Sequence, residues 1–186
     1  MEKKNIRKQF LDSRKQLDLP TYFRLSQQAQ RQLIGSEGFI RAGTLALYSP
    51  INNEVATDQI FAAAKELGKQ VFYPRVVGED LEFIEVCAVN KLVPGAFGIA
   101  EPVAGGKKTV GELDLIVVPG VAFDLGGHRL GYGCGFYDRQ LAGKSTETIT
   151  VGLCFEIQLC DRLPTEAHDQ ALDCIATETR FISCHI

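Results

Sequence analysis

The sequence predicts an α/β fold: a mostly parallel sheet with helices on both faces, in a three-layer, Rossmann-like arrangement. Three observations lead to this fold class. Residues 113–120, "LDLIVVPG", form the continuous apolar run of a strand that is buried on both faces. Residues 44–76 follow the order strand, helix, strand, which normally places two parallel strands in one sheet. Apolar runs at 148–155 and 172–178 supply two more strands.

The composition is typical of one globular domain. Of the 186 residues, 45% are hydrophobic and 23% are charged, so we expect a single domain that spans residues 1–186. The net charge of −3 argues against general nucleic-acid binding. No apolar run reaches the roughly 18 residues of a membrane span. The charged start, "MEKKNIRKQF", lacks the apolar stretch of a secretory signal, so we predict a cytoplasmic protein. We also predict no membrane association and no obligate protein partner.

Helices are predicted in the first third of the chain. Residues 3–17 place apolar side chains roughly on one side and cations over the rest. Pro20 suits the first turn of a second helix, which stops near Gly35. A third helix begins after Thr57, a residue type favoured at the N-cap, and ends at Gly68.

Strands and loops follow in the middle of the chain. Residues 70–76 complete the strand–helix–strand unit, and residues 81–86 alternate in polarity, as expected for an added antiparallel strand. Residues 93–112 are rich in Gly and Pro and predict a long surface loop. A helix is predicted over about residues 134–142, where a glycine-rich stretch ends.

The six cysteines (87, 134, 154, 160, 174 and 184) form no metal or disulfide pattern. None are spaced as C-x-x-C, and most lie in apolar, strand-like surroundings. In a chain without an export signal we expect reduced and mostly buried thiols. Cys134 is the exception because it lies within the glycine-rich stretch.

That stretch, "RLGYGCGFYDR" at residues 129–139, carries the clearest chemical signal. Its alternating glycines leave backbone N–H groups uncovered between a strand of a parallel sheet and a helix start, which favours phosphate. Arg129 and Arg139 can donate charge-assisted hydrogen bonds to phosphate oxygens, and Asp138 can hold Mg²⁺. The alternative is a tight loop with an N-capping aspartate, since neither the dinucleotide fingerprint nor the Walker pattern is present.

Residues 119–141, "PGVAFDLGGHRLGYGCGFYDRQL", closely resemble the signature of the 5-formyltetrahydrofolate cyclo-ligase family, also called methenyltetrahydrofolate synthetases. The resemblance covers nearly the whole chain, through "KKNIRKQF", "LYSPINNEVAT", "VFYPRV", "FGIAEP" and "VGLCFEIQLCDRLPTEAHDQALD". It implies a ligase that uses ATP and Mg²⁺ to convert 5-formyltetrahydrofolate (folinic acid) to 5,10-methenyltetrahydrofolate, releasing ADP and phosphate. By resemblance, the formyl oxygen attacks the γ-phosphate and N10 then closes the ring. Such a reaction needs positioning and charge neutralisation, and no side-chain nucleophile or base.

The resemblance also assigns site residues. ATP binding falls to Lys3, Arg7, Arg129, Gly131, Gly133, Cys134, Gly135, Tyr137, Asp138 and Arg139. Folate binding falls to Tyr48, Glu54, Tyr132, Gly133, Cys134, Gly135 and Phe136. Asp138 and Asp169 are the implied metal ligands, and a positioning and electrostatic role is implied for Arg129, Tyr132 and Phe136. The sequence departs from the family at Cys134, where Gly or Lys is usual, and at Phe136, where Tyr is common.

Physical reasoning about individual residues adds to this assignment. Lys3 and Arg7 lie four residues apart, so their charges oppose each other and the helix dipole unless an anion lies across that face. Glu54, at a strand end, can accept paired hydrogen bonds from the amino-pyrimidine edge of a pterin. The alternatives stay open: a solvated basic helix face, a helix-entry carboxylate at Glu54 and a turn-capping Asp169. Arg75 is a weaker candidate for phosphate or the glutamate tail of the substrate, and the solvated face is the expectation for Lys4, Lys8, Arg14 and Lys15.

Two other classes of function are weighed against the ligase. An isomerase or acyl-CoA-type transferase on a similar frame needs a catalytic carboxylate or lysine, for which Glu54 is the only stand-in. Such an enzyme would leave the basic N-terminal helix unexplained. A non-catalytic folate or nucleotide binder would tolerate loss of the metal carboxylates, yet Asp138 and Asp169 are both present.

Overall fold

A sheet of eight strands runs through the centre of the computed structural model, which describes residues 2–184. Met1 and residues 185–186, the ends of the predicted domain, therefore lie outside the described residues. The α-helices are α1 (Lys3–Lys15), α2 (Leu19–Ile34), α3 (Glu37–Arg41), α4 (Asp58–Glu66) and α5 (Phe136–Leu141). The strands are β1 (Thr44–Ala46), β2 (Gln70–Val77), β3 (Asp80–Glu85), β4 (Leu92–Pro94), β5 (Ala100–Pro102), β6 (Lys107–Lys108), β7 (Leu115–Val118), β8 (Ala122–Asp124), β9 (Arg129–Leu130), β10 (Ile149–Leu153), β11 (Leu159–Cys160), β12 (Cys174–Ala176) and β13 (Phe181–Ser183).

The large sheet is parallel in its middle and antiparallel at its edges. Its order is β13-β12-β10-β7-β1-β2-β3-β6, and the five strands from β12 to β2 are parallel. The β1–α4–β2 unit pairs in parallel as predicted, and β3 returns antiparallel to β2, also as predicted. The two outer pairs, β12 with β13 and β3 with β6, are antiparallel as well. The predicted α/β class with a mostly parallel sheet is confirmed.

Alternating side chains of the central strands fill two separate cores, one on each face of the sheet. Along β7, Leu115 and Val117 belong to one core, whereas Ile116 and Val118 belong to the other. Helices α2, α3 and α4 cover the first core, and α5 covers the second through Leu141. Each fully buried aliphatic side chain contributes about 1.5–3 kcal/mol of transfer free energy. The continuous apolar run is therefore explained by two helical layers.

Helix α1 lies outside these layers and packs against a second, three-stranded sheet of order β11-β8-β9. Ile6 and Phe10 of α1 meet Ala122, Leu130 and Leu163 in a small third core. The sequence did not predict this sheet, because its strands are only two or three residues long, and β11 pairs with β8 from 36 residues away. Its consequence is that α1 is held beside the glycine-rich stretch that follows β9.

Several element boundaries differ from the prediction. Helix α5 begins at Phe136 and not at 134, because Gly133 and Gly135 have φ of 107° and 69°, which a right-handed helix does not allow. Residues 93–112 are not one irregular loop, since they contain β5, β6 and short 3₁₀ turns. Thr57 occupies the N-cap of α4 without capping it, because its hydroxyl donates to the carbonyl of Tyr48 at 3.0 Å.

One helix was not predicted, whereas the end of α4 was. Helix α3 was not predicted; the Ser36 hydroxyl accepts from the N–H of Phe39 at 3.2 Å and caps it. Gly68 follows α4 with φ of 70°, as expected for a helix end. All six thiols are free, and Cys87 joins Cys134 in being exposed. Within residues 2–184, none of the helices has the length and apolar character needed to cross a bilayer.

Candidate functional site

A cavity of about 570 Å³ opens where the parallel strands β1, β2 and β7 reach their carboxyl ends. This is the edge at which open α/β sheets bind ligands. The cavity is bounded by α1, the residues after β1 and β7, the glycine-rich stretch and the segment around 166–169. Of the residues assigned from the sequence, the lining includes Lys3, Arg7, Tyr48, Glu54, Arg129, Gly131, Tyr132, Gly133, Cys134, Gly135, Phe136, Tyr137, Asp138 and Asp169.

The glycine-rich stretch forms one wall of the cavity with bare backbone. A side chain at Gly133 would be strained by the φ of 107° and would come within 3.5 Å of the Arg7 guanidinium. At Gly135, a Cβ would approach Nη1 of Arg139 to 2.7 Å. Gly131 has no such neighbour, so its space is open. The stretch thus leaves room for a ligand next to two arginines.

Helix α1 brings Lys3 and Arg7, which lie four residues apart, to the cavity. Lys3 Nζ lies 2.9 Å from a carboxylate oxygen of Glu166 and 3.1 Å from one of Asp169. Burial opposes the charge of Lys3, but hydrogen bonds and charges from these two carboxylates raise its pKa. Arg7 Nε donates to the carbonyl of Gly131 at 2.8 Å, which fixes the start of the glycine-rich stretch.

Arg129 and Asp138 form a partly buried ion pair in the same wall. Nη2 of Arg129 lies 2.8 Å from Oδ1 of Asp138, and its Nη1 donates to the carbonyl of Gln170 at 2.9 Å. The N–H of Gln170 donates to the same Asp138 oxygen at 3.2 Å. Burial lowers the pKa of Arg129, against the opposing effect of Asp138. The arginine therefore joins the glycine-rich stretch to the segment that carries Asp169.

The two predicted metal ligands lie in one cavity. Asp169 accepts from Lys3 Nζ and, at 2.8 Å, from the N–H of Glu166, and these contacts lower its pKa against the effect of burial. Within residues 2–184, no cluster of three or more His, Cys, Asp or Glu side chains is arranged to hold a metal. One or two carboxylates suit Mg²⁺, which usually keeps several waters and binds substrate phosphates. The carboxylates present thus fit Mg²⁺ held mainly by a ligand.

Glu54, on the turn that follows β1, is a buried carboxylate with a hydrogen-bond partner on only one of its two oxygens. Its Oε2 accepts from the N–H of Ile51 at 3.0 Å. Its Oε1 is buried and has no hydrogen-bond partner among the described residues. Burial raises the pKa of Glu54 to about 7, although the Ile51 hydrogen bond, the charge of Arg14 and the Tyr132 side chain act in the other direction. An unpaired buried oxygen in a cavity wall is suited to a ligand with N–H groups.

The assigned tyrosines have different roles in the wall. Tyr48 is buried, and its hydroxyl donates to the carbonyl of Val55 at 2.7 Å, so it holds the turn that carries Glu54. Tyr137 lies with its ring 6.0 Å from the guanidinium of Arg129, and burial raises its pKa. Tyr132 is half exposed, and its hydroxyl accepts from a guanidinium.

The guanidinium that donates to Tyr132 belongs to Arg14. The prediction that Arg14 lies on a solvated helix face is wrong. Arg14 is 1% exposed and directs all its hydrogen bonds inward. A signal was present in the sequence, because Lys3, Arg7, Phe10 and Arg14 recur on one face of a helix. The residue was missed because its partners are far along the chain. The other cations in that group, Lys4, Lys8 and Lys15, are exposed as expected.

Two aromatic rings lie at the rim of the cavity. Phe136, which was assigned, has its ring 6.2 Å from that of Phe97, which was not. Phe97 is 74% exposed and has φ of 56°, an uncommon value for a bulky residue. It was missed because its segment was expected to be an irregular loop.

Two arginines considered from the sequence lie outside the lining. Arg139 donates to the carbonyls of Cys134 and Glu79, and its guanidinium lies 5.4 Å from the centre of the Phe136 ring. Arg75 pairs with Glu82 at 2.7 Å. Neither residue is among those that border the cavity.

The chain is similar to known proteins in both sequence and structure. Residues 1–178 match the profile of the 5-formyltetrahydrofolate cyclo-ligase family. The chain is 32% identical to the 5-formyltetrahydrofolate cyclo-ligase of Mycolicibacterium smegmatis, over 77% of each chain. It is 31% identical to that of Escherichia coli, over 84% of this chain and 89% of the other. Aquifex aeolicus 5,10-methenyltetrahydrofolate synthetase, solved by NMR, superposes with a TM-score of 0.89 at 35% identity, over 100% of this chain and 94% of that one.

Proposed function

The chain belongs to the 5-formyltetrahydrofolate cyclo-ligase family of enzymes, and on that basis we propose that it converts 5-formyltetrahydrofolate to 5,10-methenyltetrahydrofolate with ATP and Mg²⁺. The products would be 5,10-methenyltetrahydrofolate, ADP and phosphate. One observation carries the proposal: a single cavity is bordered by a cluster of cations at one wall and by the half-satisfied Glu54 at another. Such a cavity suits one polyanionic ligand and one ligand rich in N–H donors.

The cationic wall would hold the phosphates of ATP. Lys3, Arg7 and Arg129 border the cavity beside bare glycine backbone, a combination that favours phosphate oxygens. Their charges are held in place by carbonyls and carboxylates, so they need little rearrangement to receive a ligand. Cys134 offers the phosphates no charge, which leaves the neutralisation to these three cations.

Asp138 and Asp169 would share a magnesium ion that arrives with the nucleotide. When bound, the ion supplies additional positive charge to the phosphate oxygens. Asp138 keeps one oxygen on Arg129, and Asp169 keeps one on Lys3, so both carboxylates are oriented before the ion binds.

Glu54 would bind the amino-pyrimidine part of the folate. Its Oε1 lacks a partner among the described residues, and a pterin presents a fork of N–H donors that matches a carboxylate. A carboxylate accepts such a pair in its ionised form, so substrate binding should strengthen as pH rises through the Glu54 pKa of about 7. Phe136 and Phe97 would contact the aromatic remainder of the substrate at the rim.

The proposed reaction needs two ligands to be held in line. The formyl oxygen takes the terminal phosphoryl group and ADP leaves. N10 then attacks the formyl carbon and loses its proton, and phosphate leaves with the formyl oxygen. The residues of the cavity bind, orient and neutralise, and none is required to form a covalent bond.

The test is direct. The protein is mixed with 5-formyltetrahydrofolate, ATP and Mg²⁺, and the absorbance of the methenyl product is followed near the ultraviolet–visible border. We expect product only when all three are present, and none after chelation of Mg²⁺. Absence of ATP-dependent product from folded protein would refute the proposal. Product without ATP would indicate an isomerase or transferase, and binding without turnover would indicate a non-catalytic binder.

Three expectations stay predictions from the sequence: that the chain acts as one domain, that it needs no obligate protein partner and that it lies in the cytoplasm.

A further inference from the structure

Arg14 joins three separate walls of the cavity from behind. Its Nε donates to the carbonyl of Asn52 at 2.8 Å, and its Nη1 donates to that of Gly120 at 3.1 Å. Its Nη2 donates to the Tyr132 hydroxyl at 2.7 Å. All three partners border the cavity, whereas Arg14 itself does not. A planar guanidinium can satisfy three acceptors in fixed directions, which an ammonium cannot do as well.

The turn that Arg14 holds is the one that carries Glu54. Asn52 and Asn53 both have positive φ, of 48° and 57°, a conformation that few side chains tolerate. The turn is closed by the N–H of Glu54, which donates to the carbonyl of Ile51 at 2.9 Å. The Arg14 hydrogen bond to Asn52 therefore acts on the centre of an unusual turn, two residues from the carboxylate.

Tyr132 connects the same turn to the glycine-rich stretch. Its hydroxyl accepts from Arg14 and also from the Asn52 side chain at 3.3 Å. Tyr132 is 41% exposed, and its side chain also lies close enough to Glu54 to lower the pKa of that carboxyl. Removal of the guanidinium would release the hydroxyl and the turn together.

We propose that Arg14 is a positioning residue for folate: it holds the Glu54 turn and Tyr132 in the one arrangement that accepts the substrate. The residue touches no ligand, so its effect is on how well the wall is ordered before binding. This inference rests on the proposed function for its kinetic readout. It also makes a prediction about the ligand-free protein that needs no activity.

The kinetic experiment compares Arg14→Gln with Arg14→Lys and the wild type. In Arg14→Gln we expect the KM for 5-formyltetrahydrofolate to rise at least about tenfold, as for loss of one buried hydrogen bond to a charged group. The KM for ATP should change by less than about threefold, as at an uninvolved site. Arg14→Lys keeps the charge but makes fewer hydrogen bonds, so its KM for 5-formyltetrahydrofolate should lie between those of Arg14→Gln and the wild type. Lys8→Gln removes an exposed charge from the same helix and is the matched control.

The pH profile separates positioning from a general effect on structure. The groups that face Glu54 are the hydroxyls of four tyrosines and one cation: Tyr22, Tyr48, Tyr132, Tyr137 and Arg14. Loss of the cation removes an effect that lowers the pKa of Glu54. The acid limb of kcat/KM for folate should therefore move to higher pH in Arg14→Gln. It should stay in place in Arg14→Lys.

Hydrogen exchange tests the proposal on the ligand-free protein, without any measurement of activity. In folded, ligand-free Arg14→Gln, the amides of Ile51 and Glu54 should exchange faster than in the wild type and in Lys8→Gln. Unchanged exchange, or equal increases in both KM values, would overturn the proposal. If Arg14→Gln does not fold, the KM values for folate of Arg14→Lys and Tyr132→Phe test the proposal instead. Wild-type values in both variants would overturn the proposal. An inactive wild-type protein would refute the proposed function alone, and exchange would then decide the role of Arg14.

Discussion

Glu54 should lower the stability of the free protein above neutral pH, and Glu54→Gln isolates this effect. The carboxylate is 4% exposed, receives one backbone hydrogen bond and leaves Oε1 without a partner among the described residues. Its pKa rises from the ordinary 4.5 to about 7 in the folded state because burial disfavours the charge. At about 1.4 kcal/mol per pKa unit, the cost of ionising it in the fold is about 3 kcal/mol.

The sign follows from proton uptake. Between pH 4.5 and about 7, the folded state keeps a proton that the unfolded state releases. The folded state therefore loses stability as pH rises through this window, and the full penalty is present above it. Glutamine cannot ionise, so Glu54→Gln should gain up to about 3 kcal/mol relative to the wild type between about pH 4.5 and 8.

Urea unfolding at a series of pH values measures this difference. A constant offset between the variant and the wild type reports the packing of the amide, and only the pH-dependent part reports the carboxylate. Glu147→Gln, at an exposed glutamate, is the control and should show no such slope. Parallel curves for Glu54→Gln and the wild type would show that Glu54 is not held in a poorly solvated site, and the reasoning would be wrong. In the activity assay the same variant should raise the KM for folate more than the KM for ATP.

Three further predictions concern the proposed phosphate and metal sites and the exposed thiols. Arg129→Ala should lower kcat at least about a hundredfold, because it removes a buried cation and leaves Asp138 unpaired; near-normal turnover would exclude a role at the phosphates. Asp138→Asn should raise the Mg²⁺ concentration that gives half-maximal rate, measured by titration at fixed ATP, whereas an unchanged requirement would remove it as a ligand. A maleimide should react first with the exposed thiols Cys134 and Cys87. Inactivation should slow in Cys134→Ser and not in Cys87→Ser, and ATP should protect; equal inactivation rates in the two variants would place the sensitive thiol elsewhere.

Much of the fold was predictable because its signals are local. The run Leu115–Val118 is apolar at every position, and that pattern alone indicates a strand covered on both faces. Gly68 marks a helix end through its own backbone. The small sheet with β8 and β9 was not predictable in this way, because pairs of two or three residues have too little periodicity to be recognised.

The candidate site was predictable in part. The spacing of Lys3 and Arg7 indicated an anion-binding face, and both border the cavity. The resemblance to a family contributed Asp169, since nothing in the local sequence distinguishes it from other loop aspartates. Arg14 was misread because its three acceptors come from distant segments, and helix position alone does not tell a solvated cation from one that is buried by such partners.

The contact between α1 and the segment around Asp169 has a consequence for how the protein is made. Lys3 and its hydrogen-bond partner Asp169 are 166 residues apart, so α1 is synthesised long before this partner. Until the residues near 169 emerge, Lys3 lacks the two carboxylates, Glu166 and Asp169, with which it pairs in the folded protein. On the proposed function, any gain in stability from bound nucleotide would therefore come only after translation is nearly complete.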